Sequence, residues 1–225
     1  QATAGFAQAA KEAGVEAIVN MSMIPARRNA KSNAAREHWL AEQVLDWSGV
    51  PVVHLRPTFF AEWLLYLAPF IRQGFIAAPW DPSGLAALVT AEDVGRVIVG
   101  ILEDPVPHRG KVYPLFGPKE YTYPELAKII SDILGKTIEY RPLDMDAWVD
   151  LLSKAGPSLP QQNTAIAMYS DGGMPSAHTI QHLRQSISDH KNGFLAGTND
   201  FVREIGGQQP TTVQEFITKN RASFL

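Results

Sequence analysis

The sequence predicts an α/β protein: a partial, doubly wound parallel sheet followed by a smaller, mostly helical C-terminal lobe. Two observations indicate this fold class. Over the first 116 residues, helical patterns alternate with short apolar runs at the spacing of βα units, which favours parallel strands joined by right-handed crossovers. Beyond residue 120, helical patterns predominate.

Apolar, β-branched runs bounded by turn residues predict the strands. Ser48 and Gly49 precede the second run, and Arg56 before Pro57 ends it, because a residue before proline is pushed out of the α region. Pro114 in the fourth run favours the edge of a sheet or a bulge. The predicted strands span residues 15–22, 50–55, 75–78, 111–116 and 137–141.

Local capping signals mark the starts of the helices. Thr90 is a natural N-cap, with Asp93 as a structural acid in the first turn. Thr122 and Glu125 form a capping box, and Gly135 ends the helix that follows. The predicted helices span residues 5–13, 34–47, 61–72, 91–103, 125–134, 144–155, 177–190, 198–205 and 211–224.

The composition excludes several classes of protein. The 225 residues carry a net charge of −3 and no Cys, which excludes a thiolate nucleophile, a disulfide scaffold and a Cys-ligated metal. No basic run points to nucleic acid. The longest apolar stretch, residues 59–71, is broken by Glu62 and Pro69, so we expect no membrane span. Because no secretory leader opens the sequence, we expect a cytoplasmic protein.

One expected motif is missing. A dinucleotide-binding domain begins with a strand, a Gly-rich turn and a helix N-terminus that takes the pyrophosphate. The sequence contains neither G-x-G-x-x-G nor G-x-x-G-x-x-G, and Gly5 and Gly14 are too far apart to form such a turn. Ser22 does end a predicted strand, where doubly wound sheets bind ligands. Its hydroxyl can contact a ribose or a substrate carbonyl, or cap the strand end in a local turn.

Several motifs together resemble a known family. Residues 36–62 contain His38 with Glu42 four residues later, then Ser-Gly, then Leu-Arg-Pro-x-x-Phe ending at Phe60, with Glu62 after it. Residues 89–94 read Val-Thr-Ala-Glu-Asp-Val, and residues 207–216 have the pattern Gly-x-x-Pro-x-Thr-x-x-x-Phe. In order and spacing these motifs resemble the NmrA-like branch of the atypical short-chain dehydrogenase/reductases, over nearly the whole chain.

The resemblance implies a Rossmann domain at residues 1–120, a helical substrate lobe at residues 121–225, and an NAD(P) cofactor with NADP slightly favoured. It also implies two or three further βα units ahead of Gln1. The 225 residues alone are therefore expected to bind the dinucleotide weakly, and to associate with a second copy or with the missing N-terminal segment. The cofactor-binding residues that it implies are Met21, Ser22, His38, Pro57, Thr58, Phe59 and Phe60.

His38 has three interpretations. It occupies the place where classical relatives have the lysine that contacts the nicotinamide ribose; as an imidazolium it can serve as a catalytic acid; or it is a surface residue paired with Glu42. Ala34 precedes it by four residues, so the Tyr-x-x-x-Lys pair of the dehydrogenases is absent.

Other candidate residues also have a simpler interpretation. Phe59 and Phe60 can pack on a nicotinamide ring or anchor the loop to the core. Arg27 and Arg28 can clamp a phosphate or lie in a solvated loop. His178 and His182 have a spacing seen in metal sites, but no third ligand accompanies them, so we predict a plain helix face and no metal. An aromatic set lines a substrate cleft or fills the second lobe: Trp148, Tyr169 and Phe194.

These observations lead to two functional hypotheses. The first is a reductase that transfers a hydride from NAD(P)H to a quinone-like or carbonyl small molecule. The alternative is a non-enzymatic regulatory protein that senses the dinucleotide, which the absent Tyr and Lys favour.

Overall fold

The computed structural model describes residues 2–155, 170–171 and 174–225. The strands are β1 (Ile18–Met21), β2 (Val52–Pro57), β3 (Phe75–Ala78), β4 (Val112–Leu115), β5 (Glu139–Pro142), β6 (Ser170–Asp171) and β7 (Met174–Pro175). The helices are α1 (Ala2–Glu12), α2 (Asn33–Trp47), α3 (Trp63–Tyr66), α4 (Ala68–Arg72), α5 (Ala91–Glu103), α6 (Tyr123–Leu134), α7 (Met145–Ala155), α8 (Ala177–Lys191), α9 (Phe201–Gly206), α10 (Val213–Lys219) and α11 (Arg221–Phe224).

The central sheet has three parallel strands in the order β1-β2-β4. A second parallel pair joins β3 to β5, and most of the described residues after β4 are helical. This α/β architecture confirms the predicted fold class. Pro114 lies in β4 at the edge of the three-stranded sheet, as its missing backbone N–H requires.

The capping predictions are confirmed at two helices. The Thr90 hydroxyl accepts the backbone N–H of Asp93 at 3.1 Å, and α5 begins at the next residue after Thr90. Thr122 and Glu125 form the predicted capping box of α6, which ends at Gly135 in the left-handed region (φ 72°). Asp93 is fully buried, and its carboxylate also accepts the backbone N–H and the hydroxyl of Thr211, each at 3.0 Å. It therefore has a structural role that reaches beyond the first turn.

Two segments predicted as single helices are each divided. Residues 61–72 form α3 and α4, which meet at Leu67, because Pro69 has no backbone N–H to continue the hydrogen-bond ladder. Residues 211–224 form α10 and α11, with Asn220 between them.

Two apolar cores draw on both halves of the chain. The core of the sheet combines Leu55 of β2, Ile101 of α5 and Val202 of α9. The larger core packs residues of α3 and α4 against α6, α7, α8, α10 and α11. The division at residue 120 stays a proposal, since side chains from both sides of it share each core.

The parallel arrangement brings the carboxyl ends of β1 and β2 together. The backbone N–H of Ser22 donates to the carbonyl of Leu55 at 2.7 Å, and that of Thr58 donates to the carbonyl of Leu115 at 3.0 Å. Residues that follow these two strands therefore meet at one edge of the sheet.

Three further features concern residues 2–155, 170–171 and 174–225. No helix there is both long and apolar enough to cross a bilayer. No group of three or more His, Asp or Glu side chains there could hold a metal ion. Within the same part of the chain β1 pairs on one side only, with β2; association through its other side stays a prediction.

Candidate functional site

A cavity of about 260 Å³ lies where the carboxyl ends of β1 and β2 face helices α2 and α8. Six of the seven predicted cofactor-binding residues line it: Ser22, His38, Pro57, Thr58, Phe59 and Phe60. Met21 does not line it and is 47% exposed, so its predicted role has no support from the cavity. The other lining residues are Met23, Ile24, Pro25, Trp63, Thr179, His182, Leu183, Ser186, Asp189 and Leu195.

A buried ion pair holds the two elements that carry His38 and Pro57. Arg56 of β2 donates from Nε and Nη2 to the two carboxylate oxygens of Glu42 on α2, at 2.9 and 2.5 Å. Glu42 is only 2% exposed. Burial alone would raise its pKa, but the hydrogen bonds from Arg56, together with the nearby Ser22 hydroxyl, outweigh burial, and the pKa of Glu42 is lowered. This two-point contact fixes α2 against the strand.

Both carboxylate oxygens of Glu42 accept hydrogen bonds from Arg56. The interpretation of His38 as a surface residue paired with Glu42 is therefore wrong. His38 is half-buried, and the described residues offer its ring neither a hydrogen bond nor an ion pair. Burial lowers the pKa of His38, although the nearby charges of Glu42 and Glu37 oppose the shift. At neutral pH the ring is therefore a neutral imidazole at the cavity wall, with both nitrogens available to a ligand.

Ser22 presents a second polar atom that lacks a good partner. The side chain is 4% exposed, and its hydroxyl is close enough to Glu42 to help lower the pKa of that carboxyl. No hydrogen bond of acceptable geometry forms within the described residues, whether to Glu42 or to the backbone. A buried hydroxyl without a well-formed hydrogen bond is costly, and such groups concentrate at functional sites.

The loop after β2 supplies both a wall and an anchor. Phe59 packs against Trp80 with ring centroids 4.7 Å apart, and Phe60 packs against the core of the sheet. Both rings also line the cavity. Thr58 is buried and donates its hydroxyl to the carbonyl of Leu195 at 3.3 Å. Phe59 and Phe60 therefore anchor the loop to the core and also form part of the cavity wall.

Sequence reasoning missed the contribution of α8. One face of this helix lines the cavity with Thr179, His182, Ser186 and Asp189. Their spacing of three, four and three residues is a polar stripe along a helix, and this signal was present in the sequence. His182 thus faces the cavity, whereas Nε2 of His178 lies 3.5 Å from a carboxylate oxygen of Glu37, and both side chains are partly exposed.

The structure also places Arg27 and two members of the aromatic set, Trp148 and Phe194. Arg27 neither lies in a solvated loop nor is available to a phosphate: it donates to both oxygens of Asp189, at 2.7 and 3.3 Å, and stacks 4.3 Å from the ring centre of Phe194. Trp148 is buried in the core and donates to the carbonyl of Ala77 at 3.1 Å. Tyr169 lies outside the described residues.

The chain is similar in sequence to known reductases. The sequence profile of the NmrA-like family matches residues 2–197. An NAD(P)H azoreductase from Xenophilus azovorans is 27% identical over 227 residues, covering 100% of this chain and 72% of that protein. Quinone oxidoreductase 2 from Escherichia coli strain K12 is 31% identical over 167 residues, covering 73% of this chain and 56% of that protein.

Comparison with solved structures gives the same fold. An NADPH-dependent quinone oxidoreductase from Escherichia coli, complexed with NADPH, superposes with a TM-score of 0.78 and 25% identity, covering 97% of this chain and 70% of that one. NmrA, a negative transcriptional regulator in complex with NADP, superposes with a TM-score of 0.66. At 16% identity, over 99% of this chain and 71% of that one, the second likeness is one of fold alone.

Proposed function

This chain belongs to the NmrA-like family, and from that premise we propose that it is a reductase that transfers a hydride from NAD(P)H to a quinone-like or carbonyl small molecule. The observation that carries the proposal is the cavity at the carboxyl ends of β1 and β2. Doubly wound sheets bind their ligands at this edge. The similar azoreductase and quinone oxidoreductase support the choice of a reductase.

The residues present fit the nicotinamide-ribose end of a dinucleotide. The Ser22 hydroxyl and the His38 ring lack well-formed hydrogen bonds within the described residues, as groups that bind ribose hydroxyls would. Pro57, Phe59 and Phe60 form an apolar wall against which a planar ring can pack and from which water is excluded. When bound, the nicotinamide supplies the hydride. NADP is slightly favoured as the cofactor.

The protonation state of His38 favours a quinone as the acceptor. A carbonyl substrate needs a proton at its oxygen as the hydride arrives, and the usual tyrosine acid has no counterpart at Ala34. His38 cannot replace it well, because burial lowers its pKa and keeps the ring neutral at pH 7. A quinone accepts the hydride without a strong protein acid, and the resulting hydroquinone monoanion takes one proton from water.

The test is NAD(P)H consumption against a panel of quinones and aldehydes, followed at 340 nm. We expect turnover with quinones, and slower or no turnover with aldehydes. Binding of NADPH with no consumption for any member of the panel would overturn the reductase and support the alternative, a regulatory protein that senses the dinucleotide. The specific observation that favours this alternative is the absence of a Tyr and Lys pair ahead of and at His38.

A further inference from the structure

Within the described part of the chain, the ring of His182 has a close hydrogen-bond partner at only one of its two nitrogens. Its Nδ1 lies 2.7 Å from the hydroxyl of Ser32, the N-cap of α2. Its Nε2 lies 3.5 Å from the hydroxyl of Ser186, which is longer than a normal hydrogen bond of this kind. The Ser186 hydroxyl already donates to the carbonyl of His182 at 3.0 Å. Both His182 and Ser186 line the cavity.

The contacts of Ser32 decide which nitrogen of His182 carries the proton. The Ser32 oxygen accepts the backbone N–H of Ala35 at 3.1 Å, and the side chain is buried. If Nδ1 carried the ring proton, the Ser32 O–H would have no acceptor among the described residues. A buried hydroxyl without a partner is unfavourable, so the O–H donates to Nδ1. The neutral ring therefore carries its proton on Nε2.

A second contact keeps this arrangement in place. The side-chain amide of Gln181 accepts the backbone N–H of Asn33 at 2.9 Å and donates to the carbonyl of Lys31 at 2.8 Å. Helix α8 is thus fastened on both sides of Ser32, and the His182 ring is held at a fixed position on the cavity wall.

We propose that the Nε2–H of His182 donates a hydrogen bond to the acceptor oxygen of the substrate, a quinone or carbonyl compound, in this cavity. The inference rests on the proposed reductase function. As hydride adds to the substrate, negative charge develops on its oxygen, and a fixed N–H donor aimed at that oxygen stabilises the charge. His182 keeps its own proton, because Ser32 is buried and has no second proton to pass on. The proton that neutralises the oxygen comes from water.

The surroundings of His182 suit a neutral donor. Burial, together with the nearby His178 and His38, lowers the pKa of His182 to about 4, and Asp189 opposes the shift only in part. Arg27 pairs with Asp189, so the one carboxylate on this face of α8 that lines the cavity is neutralised. A neutral donor in a mainly apolar cavity selects uncharged, oxygen-bearing ring compounds over anions.

Binding without any dinucleotide tests the proposal directly. The probes are 2,6-dimethyl-1,4-benzoquinone and m-xylene, which has the methyl groups but lacks the oxygens, each measured by equilibrium dialysis. We expect His182→Leu to weaken quinone binding about fivefold to tenfold and to leave xylene binding unchanged. The matched control is His178→Leu, one helical turn away and outside the cavity, which should leave both affinities unchanged.

The outcomes separate this inference from the reductase proposal. Equal quinone affinity in wild type and His182→Leu, or no quinone binding to wild type, overturns the role of His182, whether or not NADPH is consumed. Binding that depends on His182 without NADPH consumption overturns only the reductase. Should His182→Leu fail to fold, ¹⁵N-edited spectra of the wild-type histidine rings decide: a proton on Nδ1 of His182 between pH 6 and 8 contradicts the proposal.

Discussion

Individual atoms without partners determine what the cavity can recognise. Among its polar groups, Thr58, Ser186 and Asp189 already have hydrogen-bond partners within the protein. The Ser22 hydroxyl and the His38 ring have none of good geometry among the described residues, and Nε2 of His182 has only a long contact. Ser22 follows β1, His38 lies on α2, and His182 lies on α8. A ligand that satisfies all three must reach from the end of β1 to α8.

The first prediction at this scale concerns His38. If its ring contacts the ribose, His38→Ala weakens NADPH binding by about 1–2 kcal/mol, the contribution of one or two hydrogen bonds, and leaves the fold intact. Calorimetric titration measures the affinity, and thermal unfolding checks the fold. His178→Ala is the control, since that ring lies outside the cavity. Equal affinity in wild type and His38→Ala would remove His38 from the cofactor site.

A second prediction concerns the pair of Glu42 and Arg56. The folded-state pKa of Glu42 is lowered, so the pair contributes stability above the ordinary carboxyl pKa and loses it as pH falls through the folded value. Arg56→Met leaves a buried carboxylate without its partner, and we expect a loss of about 3 kcal/mol at pH 7. The stability difference from wild type should shrink towards pH 4, because the lone carboxyl then becomes protonated.

Urea unfolding at pH 7, 5.5 and 4 measures this dependence. Arg36→Met is the matched control. Arg36 is exposed on the same helix as Glu42, and among the described residues its guanidinium donates to Asn33 alone, at 3.1 Å, so its loss should cost less than about 0.5 kcal/mol. A difference between wild type and Arg56→Met that stays constant or grows on acidification would show that Glu42 is not the group responsible.

At the scale of elements, the sequence predicted what is local and missed what depends on distant parts of the chain. Thr90 and Thr122 placed the starts of their helices within two residues, because a cap is determined by neighbouring side chains. The polar stripe of α8 could be read only as a helix face, since the cavity that it lines is formed by β2, 120 residues earlier in the chain. Likewise, Arg27 finds its partner in Asp189, 162 positions away.

The contact between α5 and α9 gives a prediction with an internal control. A Cβ added at Gly100 would lie 2.1 Å from the carbonyl oxygen of Ile205, whereas one added at Gly95, on the same helix, meets nothing within 4 Å. Gly95→Ala should therefore stabilise the protein by about 0.5–1 kcal/mol through helix propensity. Gly100→Ala should destabilise it by about 1–3 kcal/mol, because α9 must move away. Thermal unfolding of both variants measures the sign; two stabilised variants would contradict the close approach.

At the scale of the whole molecule, the one-sided pairing of β1 predicts association. Unpaired backbone groups on a strand edge are a template for another strand. We expect sedimentation of the 225-residue chain to show an apparent mass that rises with concentration. Met21→Lys should weaken this association, because Met21 is exposed on β1 and a charge there opposes edge pairing. A monomer at every concentration would contradict the expectation.

The last prediction concerns how much of a dinucleotide these 225 residues hold. The cavity offers partners for a nicotinamide and its ribose, whereas the sequence contains no Gly-rich turn for the pyrophosphate. The adenosine half of NADPH should therefore add little: NADPH and reduced nicotinamide mononucleotide should both bind weakly, with dissociation constants within about tenfold of each other, or about 1.4 kcal/mol. Calorimetric titration with both ligands gives the ratio, and His38→Ala should weaken both equally. Micromolar NADPH affinity, a hundredfold or more above that of the mononucleotide, would mean that these residues also bind the pyrophosphate or the adenosine.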